Sequence, residues 1–422
     1  MHNQKQLYIV DNLAYNIPII YPAEQRTEVT GMCSSKDKIL QTVETNGTEL
    51  FAMACDIFDH PECGREEVYA CRRITDYLEQ KGFAVERGIG GLETAFRATW
   101  EQGSGGPSIG LMMEYDALRD LGHACGHHLQ GPTCIGAALA LKETVKEPFK
   151  LVLYGTPDEE SRGGKIDMVN NGCFRDIDVI FSHHTKSQTC VSQGSMALAP
   201  HHVTFHGKPA HAAVSPWEGR SALDALMLAF HGLEIMREHV RDGSRIQYTI
   251  LERTGPANII HAQARAHITL RSDDRFYLED MQRRMIKVLN GACEMTETTY
   301  EISYLPVYWN MIRIEALREK ALGIAAELGV EKIAHNTTGL FGSTDVGNVS
   351  WIVPNLNLNT YYCDHSEHTV EYLNNGKTEK ARTCMLSGSK IIGLTALELI
   401  RDPAFLAEVK AQHAAATAGA KR

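Results

Sequence analysis

The sequence predicts an α/β protein whose mostly parallel sheet is interrupted by a smaller α+β domain. Between residues 107 and 184, segments with the composition of buried strands alternate with helical segments, which is typical of a parallel sheet with helical crossovers. Between about residues 199 and 309 the pattern changes to half-exposed strands and two helices, which indicates an inserted ferredoxin-like unit. We therefore expect residues 1–198 and 310–422 to form one domain, with 199–309 inserted in it.

Two helices are expected ahead of the sheet. A helical period begins at Ser35 and runs through "KDKILQTVETNGTELFAMACDIFDH". A second helical segment is "EEVYACRRITDYLEQKG", where Gly82 is placed to end the helix. Residues 1–35 show no clear period, and we interpret them as an arm.

The parallel sheet is predicted from three apolar segments that two helices separate. The strands are "PSIGLMMEY", "FKLVLYGT" and "DIDVIFSH". The helices between them are "GPTCIGAALALKETV" and "GGKIDMVNNG".

The inserted unit is predicted from alternating strands and two helical segments. Its strands are "LAPHHVTFHGK", "SRIQYTILERTGP" and "IIHAQARAHITLRS", and its helices are "SALDALMLAFHGLEIMREHV" and "YLEDMQRRMIKVLNGACEM". After it, "IRIEALREKALGIAAELG" is again helical, and "FGSTDVGNVSWIVPNLNLNTYY" returns to strand and loop. The tail "AQHAAATAGAKR" is of low complexity.

Composition excludes several classes of protein. A formal net charge of −10 argues against a nucleic-acid binder, because phosphate neutralisation needs a surplus of Lys and Arg. No apolar run reaches the roughly 18 residues of a spanning helix, and the first residues lack the features of a signal peptide. We expect a cytoplasmic protein that binds neither nucleic acid nor membrane. The 11 cysteines include no C-x-x-C pair, so neither a disulfide framework nor a redox site is expected.

Polar side chains follow each of the three predicted strands. Cys125 and His127 lie two residues apart in a glycine-containing loop after the first strand, and Glu160 and His184 lie at the ends of the next two. Ligands of open α/β sheets bind at this edge. Thiolate, imidazole and carboxylate together suit Zn²⁺, and the carboxylate keeps Mn²⁺ and Co²⁺ open. Each residue alone is typical of a surface or core position, but their coincidence indicates a site for one or two divalent transition metal ions.

Glu159, next to Glu160, suggests hydrolysis. One carboxylate can hold an ion while its neighbour takes a proton from the attacking water and passes it to the leaving nitrogen. Adjacent residues can divide these tasks because their side chains can point to opposite sides of a turn.

Four motifs in this order resemble the M20 metallopeptidase family, in its amidohydrolase branch. They are "EYDALRDLGHACGHHLQG", "GTPDEESRGGKIDMVNNGCFRDIDVIFSHH", "HGKPAHAAVSPWEGRSALDA" and "GSTDVGNVSW". The branch includes aminobenzoyl-glutamate hydrolase and indole-acetyl-amino-acid hydrolases, and the family also contains a nitroanthranilate aminohydrolase. The resemblance implies a di-metal catalytic domain interrupted by a lid domain through which two chains form a homodimer.

The resemblance also implies roles for individual residues. Glu159 would be the general acid and base. The metal ligands would be Cys125, His127, Glu160, His184 and His368. His365 stands three residues before His368, so the choice between these two histidines as the last ligand stays open.

The resemblance assigns further residues to substrate. His211 would reach the active site of the other subunit and stabilise the oxyanion, and Asn258 and Arg271 would hold the carboxylate of the substrate. Asp116 would orient a ligand imidazole without contacting the metal.

The sequence departs from the family pattern at two places. His128 stands where the family usually has Asp or Asn after "CGH", and Ser161 and Arg162 replace glycines beside the proposed base. His128 is a candidate substrate contact, a donor to a ligand or a replacement ligand, and the sequence does not decide among these.

The sequence leaves three hypotheses for function. The first is a metal-dependent amidohydrolase that cleaves a small carboxylated amide, such as an acyl- or aroyl-amino acid, with Glu159 protonating the leaving amine. The second is a hydrolytic deaminase of a small aromatic amino acid such as a nitroanthranilate. The third is a metal-free relative that acts as a binding or scaffold protein. The intact base and ligands argue against it, because such a chain has no need of the base.

Overall fold

The computed structural model describes residues 34–252, 255–335 and 342–421, so the predicted arm lies almost wholly outside the described residues. The helices are α1 Ser35–Asp59, α2 Val68–Gln80, α3 Gln130–Thr144, α4 Gly164–Asn170, α5 Ala222–Arg237, α6 Arg275–Thr296, α7 Glu315–Glu327, α8 Val346–Ser350, α9 Val370–Leu373, α10 Glu379–Arg401 and α11 Pro403–Thr417. The strands are β1 Ala84–Arg87, β2 Phe96–Gln102, β3 Ser108–Met113, β4 Phe149–Gly155, β5 Val179–Lys186, β6 Cys190–Val191, β7 Ala197–His206, β8 Ala210–His211, β9 Arg245–Ile250, β10 Ile259–Ile260, β11 Gln263–Ser272, β12 Thr299–Tyr304 and β13 Asn355–Tyr361.

The larger sheet has the strand order β1-β2-β4-β3-β5-β13-β6. The inner strands β4, β3, β5 and β13 are mutually parallel, whereas β1, β2 and β6 join the edges antiparallel. All six residues of β3 are buried, as expected for a parallel strand that is covered on both faces. The predicted mostly parallel α/β sheet is confirmed.

Alternation along the inner strands supplies two apolar cores. In β3, Leu111 belongs to the core that α1, α3 and α10 cover, while its neighbour Met112 belongs to the core on the other face. β4 repeats the pattern with Leu153 on the first side and Val152 on the second. Because successive strand residues point to opposite faces, these apolar runs require helices on both sides of the sheet.

A second sheet has the order β12-β7-β11-β9 and is antiparallel throughout. Buried and half-buried residues alternate strictly along β7, and α5 and α6 cover the buried face. This sheet therefore has its own apolar core, although Ser35–Arg422 forms one compact unit. The division at residues 198 and 310 stays a prediction.

Several parts of the fold differ from the sequence prediction. The elements β1, β2, β12 and α10 were not expected, and α11 covers most of the segment interpreted as a low-complexity tail. α10 is long and apolar enough to cross a membrane by length and composition, contrary to the expectation that no such run exists. In the structure 78% of its most apolar window is buried inside the protein, which identifies it as a core helix of this fold.

Glu67, the residue before α2, has a fully buried carboxyl group that forms a hydrogen bond with the loop after β4. Its side chain accepts hydrogen bonds from the backbone N–H of Asp158 at 2.8 Å and from the hydroxyl of Thr94 at 3.0 Å. Burial raises the pKa of Glu67 to about 7, and the nearby carboxylate of Asp116 adds to the shift.

We expect Glu67→Gln to change the pH dependence of stability. The raised pKa means that the folded state holds a proton that the unfolded state releases, so this contribution is present below pH 4.5 and is lost as pH rises through 7. Urea unfolding of metal-free protein should show the variant gaining about 3 kcal/mol on wild type across this window. Glu66→Gln, at an exposed neighbour, is the control. A pH-independent difference would contradict the assignment.

Candidate metal centre and active site

Parallel pairing brings four segments of the chain to one edge of the larger sheet. β3 ends beside β4 with Met113 opposite Gly155, and near the end of β13 Asn359 lies opposite His184 of β5. Because these strands run in the same direction, the segments after β3, β4 and β13 all emerge next to the end of β5. His184 lies within β5, close to its carboxyl end, and the other predicted ligands lie in the segments that follow the strands.

Gly126 permits the close turn that separates Cys125 from His127. Its φ is 82°, in the left-handed region that favours glycine, and an added Cβ would lie 2.1 Å from the hydroxyl of Thr185. The same hydroxyl donates to the carbonyl of Cys125 at 3.2 Å, so β5 fixes the loop directly. Both side chains of the pair are thereby held near His184.

Asp116 positions two of the predicted ligands at once. One carboxylate oxygen accepts from Nδ1 of His127 at 3.0 Å, and the other accepts from the backbone N–H of Glu160 at 2.8 Å. The carbonyl oxygen of Asp116 also lies 3.0 Å from Nδ1 of His127. The expected orienting role of Asp116 is therefore consistent with its contacts, which join the segment after β3 to the segment after β4.

The contacts of His127 favour a cation at its Nε2 atom. Two acceptors face Nδ1, so the proton of the neutral ring belongs there and Nε2 presents a lone pair. Nε2 is buried without a hydrogen-bond partner and lies 3.2 Å from Oε2 of Glu114. Burial would lower the pKa of His127, but Cys125, Glu114 and Asp116 raise it well above its usual value. A proton or a metal ion at Nε2 relieves the same electrostatic imbalance.

The remaining predicted ligands converge on the same place. Sγ of Cys125 lies 3.5 Å from Nε2 of His184, whose Nδ1 donates to the carbonyl of Thr185 at 2.8 Å. Oε1 of Glu160 is buried without a hydrogen-bond partner, 3.4 Å from Nε2 of His368. Among the predicted ligands and Glu159, ligand atoms lie within 4.8 Å of one another in three sets, namely Cys125, His127 and His184; Cys125, Glu160 and His368; and His127, Glu159 and Glu160. The thiol, imidazole and carboxyl atoms of these sets fit one or two divalent ions.

Glu159 has the surroundings of a proton carrier. It follows Asp158, a non-glycine residue at φ 66°, whose left-handed backbone turns the chain soon after β4. Burial raises the pKa of Glu159 well above its usual value, and the carboxylates of Glu114 and Asp345 add to the shift. A carboxyl whose pKa is raised in this way holds a proton more readily, and that proton can pass to a leaving group.

A cavity of about 480 Å³ opens beside these groups. Its volume is that of a site for a small molecule. The lining includes Glu114, Cys125, Gln130, Glu159, Glu160, His184, Lys186, Ser192, Ser195, Ser343, Thr344, Asn357, Asn359, Glu367 and His368.

The residues expected to bind substrate do not line this cavity within one chain. His211 and Asn258 are exposed on a two-stranded ribbon of β8 and β10, where the carbonyl of Asn258 accepts from the N–H of Ala212. Arg271 is half-buried, and its Nη1 donates to the hydroxyl of Ser343 at 2.7 Å. Arg271 thus touches the cavity wall through Ser343, whereas the roles of His211 and Asn258 stay predictions.

The position of His128 differs from the expected substrate contact. Its side chain is fully buried, lies outside the cavity lining, and contacts the carbonyl of Gly376 through Nε2 at 3.0 Å and the ring of Phe58 edge-on. Burial lowers the pKa of His128 to about 4. Ser161 and Arg162 are exposed and also lie outside the lining, so neither adds bulk to the cavity. Within one chain, His128 packs beneath the site and does not face it.

The structure favours His368 over His365 as the last ligand, because only His368 belongs to a ligand set of the described residues. Sequence reasoning missed Glu367, whose Oε1 lies 3.5 Å from Nδ1 of His184 and 3.1 Å from Nζ of Lys186. It also gave no role to Lys165 and Asp345, although both stand in the quoted motifs. The sequence signal for Lys165 was its position directly after two glycines that follow the loop of Glu159.

Residues 110–379 match Peptidase family M20/M25/M40, more than half of the 422-residue chain. The chain therefore belongs to this family, and the resemblance is confirmed. It is 31% identical to the Xaa-Arg dipeptidase of Mus musculus over 89% of this chain and 91% of that protein. It is 29% identical to one of the subunits of the p-aminobenzoyl-glutamate hydrolase of Escherichia coli over 88% of this chain and 93% of that protein.

Solved structures share the fold. An aminobenzoyl-glutamate utilization protein from Klebsiella pneumoniae aligns with a TM-score of 0.70 at 21% identity, over 85% of this chain and 98% of that chain. A dinuclear metal-binding peptidase of the M20 family from Bacillus subtilis aligns with a TM-score of 0.67 at 20% identity, over 85% and 99%. Family membership and the names of the relatives indicate a metal-dependent hydrolase.

We expect Asp116→Asn to weaken metal binding. The amide of Asn has one oxygen that accepts a hydrogen bond and one nitrogen that cannot. It can therefore accept either from Nδ1 of His127 or from the N–H of Glu160 but not from both, so one ligand loses its orientation. Apparent affinity for Zn²⁺ or Mn²⁺, measured by competition with a chelator, should fall about 10- to 100-fold. Asp120→Asn, at an exposed residue nearby, should leave the affinity unchanged. Equal affinities for wild type and Asp116→Asn would show that Asp116 does not orient the ligands.

Proposed function

We propose that the protein hydrolyses the amide bond of a small acyl- or aroyl-amino acid. The observation that supports this most is the position of Glu159, which lines the same cavity as the ligand atoms of Cys125, Glu160 and His184. The relatives named for p-aminobenzoyl-glutamate and for Xaa-Arg dipeptides act on substrates in which an amide nitrogen belongs to an amino acid. A cavity of about 480 Å³ suits molecules of that size.

The proposed metal ligands are Cys125, His127, Glu160, His184 and His368. Zn²⁺ or Mn²⁺, as one or two ions, would supply a Lewis acid that polarises the carbonyl and lowers the pKa of water. The thiol of Cys125 favours Zn²⁺, while the carboxylate of Glu160 also suits Mn²⁺. Asp116 keeps the proton of His127 on Nδ1, which leaves Nε2 free to bind.

Glu159 carries the proton in the proposed reaction. As a carboxylate it accepts a proton from the attacking water, and as a carboxylic acid it donates that proton to the departing nitrogen. The raised pKa strengthens Glu159 as a base toward the attacking water, and the proton then stays on Glu159 until it passes to the departing nitrogen. Glu160, one residue on, is held by Asp116 and binds the ion instead.

The carboxylate of the substrate is assigned to Arg271 and Asn258, and the oxyanion to His211. His211 and Asn258 are exposed and lie outside the cavity of their own chain, so we propose that they act on a second copy in a homodimer. Arg271 contacts Ser343 in the cavity wall and can exchange that bond for one to the substrate.

The direct test is a hydrolysis screen with Zn²⁺ or Mn²⁺ present. The panel contains aroyl-glutamates, acyl-amino acids, dipeptides that end in arginine, and aminobenzoates, scored for released amine or ammonia. Cleavage within the first three groups supports the proposal. Release of ammonia from an aminobenzoate alone would favour the deaminase, and no turnover of any compound with either metal would reject hydrolysis.

We expect Glu159→Gln to remove turnover and keep the metal. The amide cannot move a proton, while the five ligands are unchanged, so kcat should fall on the order of 10²- to 10⁴-fold with normal metal content. Glu371→Gln, at an exposed residue close to His368, should retain full activity. Loss of metal in proportion to the loss of activity would show that Glu159 is a ligand.

The same variant tests the role of His211. Inactive Glu159→Gln mixed with inactive His211→Ala should regain activity, because hybrid dimers contain one site with an intact base and an intact His211 from the partner. Unmixed samples of each variant are the controls. No recovery after subunit exchange would place the whole site within one chain.

A further inference from the structure

Next to Glu159 lies a buried ion cluster that the proposed reaction does not use. The ammonium of Lys165 is fully buried and lies 2.6 Å from Oε1 of Glu114 and 2.7 Å from Oδ1 of Asp345. Asp345 also accepts from the backbone N–H of Lys165 at 3.0 Å. Both carboxylates are buried, so neither has bulk water to stabilise its charge.

Without Lys165, this place would resemble a further metal site. Oxygen atoms of Glu114, Glu159 and Asp345 all lie within 4.8 Å of one another. Three carboxyl groups at that separation repel one another unless a cation or protons intervene. Lys165 supplies a covalently attached cation at this position, which offsets the charge of one of the three carboxyl groups without a further metal ion.

The cluster also joins two walls of the cavity. Lys165 lies in the first turn of α4, directly after the loop that carries Glu159. Asp345 precedes α8 and belongs to the segment whose residues Ser343 and Thr344 also line the cavity. Glu114 extends the link to the metal side, because its Oε2 accepts from Gln130 at 2.7 Å and lies 3.2 Å from Nε2 of His127.

We propose that Lys165 is a positioning residue. Its buried ammonium orients Glu114 and, by binding Asp345, holds the segment that carries Glu159 against the segment that carries Ser343. This inference rests on the proposed function for its effect on catalysis. In the absence of the ammonium, Glu114 and Asp345 separate, and the carboxyl of Glu159 loses its place opposite the substrate. A shift of about 1 Å at a reacting group can lower the rate about 100-fold.

The test uses Lys165→Ala with added alkylammonium ions. Removing the side chain leaves space beside Glu114, which lines the cavity and so gives a small amine a path to it. We expect kcat to fall about 100-fold with KM and metal content near wild type, and propylammonium chloride to restore part of kcat in a saturable way. Tetramethylammonium at equal ionic strength, which cannot donate hydrogen bonds, should restore nothing. The matched control is Lys410→Ala, which removes an exposed ion pair with Asp178.

A second readout does not depend on turnover. Propylammonium should raise the Tm of Lys165→Ala, because a ligand that binds only the folded state stabilises it, and should leave wild type and Lys410→Ala unchanged. If wild type hydrolyses nothing, the proposed function fails while this shift still decides the role of Lys165. Wild-type kcat in Lys165→Ala, or no response of its kcat and Tm to the amine, would overturn the inference.

A third variant covers the case in which Lys165→Ala does not fold. Lys165→Met with Asp345→Asn removes one positive and one negative charge together, so the remaining buried charge matches wild type. We expect this protein to fold, bind metal and keep a low kcat, because the link between the two walls is lost. Wild-type kcat in the double variant would contradict positioning by Lys165.

Discussion

Parallel pairing of β4, β3, β5 and β13 is the constraint on which the site depends. Each strand contributes one segment to the same edge, and residues as distant in the chain as Cys125 and His368 become neighbours only there. Apolar residues on both faces of these strands fix their register, since a shift by one residue would exchange the two cores. Packing in the interior therefore sets the distances between groups that perform chemistry at the edge.

At this edge of the sheet the fold buries many acidic groups beside few cations. Glu114, Asp116, Glu159, Glu160 and Asp345 are buried or half-buried within one region, and charged forms at such depth need partners. Lys165 forms ion pairs with Glu114 and Asp345, and the backbone N–H of Glu160 donates a hydrogen bond to Asp116. The buried atoms without a hydrogen-bond partner at this edge include Nε2 of His127 and Oε1 of Glu160, which a divalent ion would use.

Local pattern predicted the parts of the fold and site that depend on neighbours in sequence. The period of β3, α3, β4, α4 and β5 was readable, and so was the Cys125 and His127 pair, because each depends on a few consecutive residues. β1 and β2 carry too few buried residues to show a strand pattern. α10 is buried on most sides and lacks a single apolar stripe.

Contacts between distant residues were beyond local pattern. His368 was assigned only through the resemblance, since no spacing relates it to Glu160. The pairing of Lys165 with Asp345 joins residues 180 positions apart, so no sequence window contains both. The surroundings of His128, for which the sequence left three roles open, could not be read from the sequence for the same reason. Its partner is the carbonyl of Gly376, 248 positions away, and that contact buries the ring beneath the site.

The central claim is that Cys125 and the histidines at this edge bind one shared metal centre. X-ray absorption at the zinc edge of the zinc-loaded protein tests it most directly. We predict a sulfur scatterer at about 2.3 Å together with imidazole nitrogens at about 2.0 Å, and loss of the sulfur signal in Cys125→Ser. A first shell of nitrogen and oxygen alone in the wild-type protein would contradict the assignment.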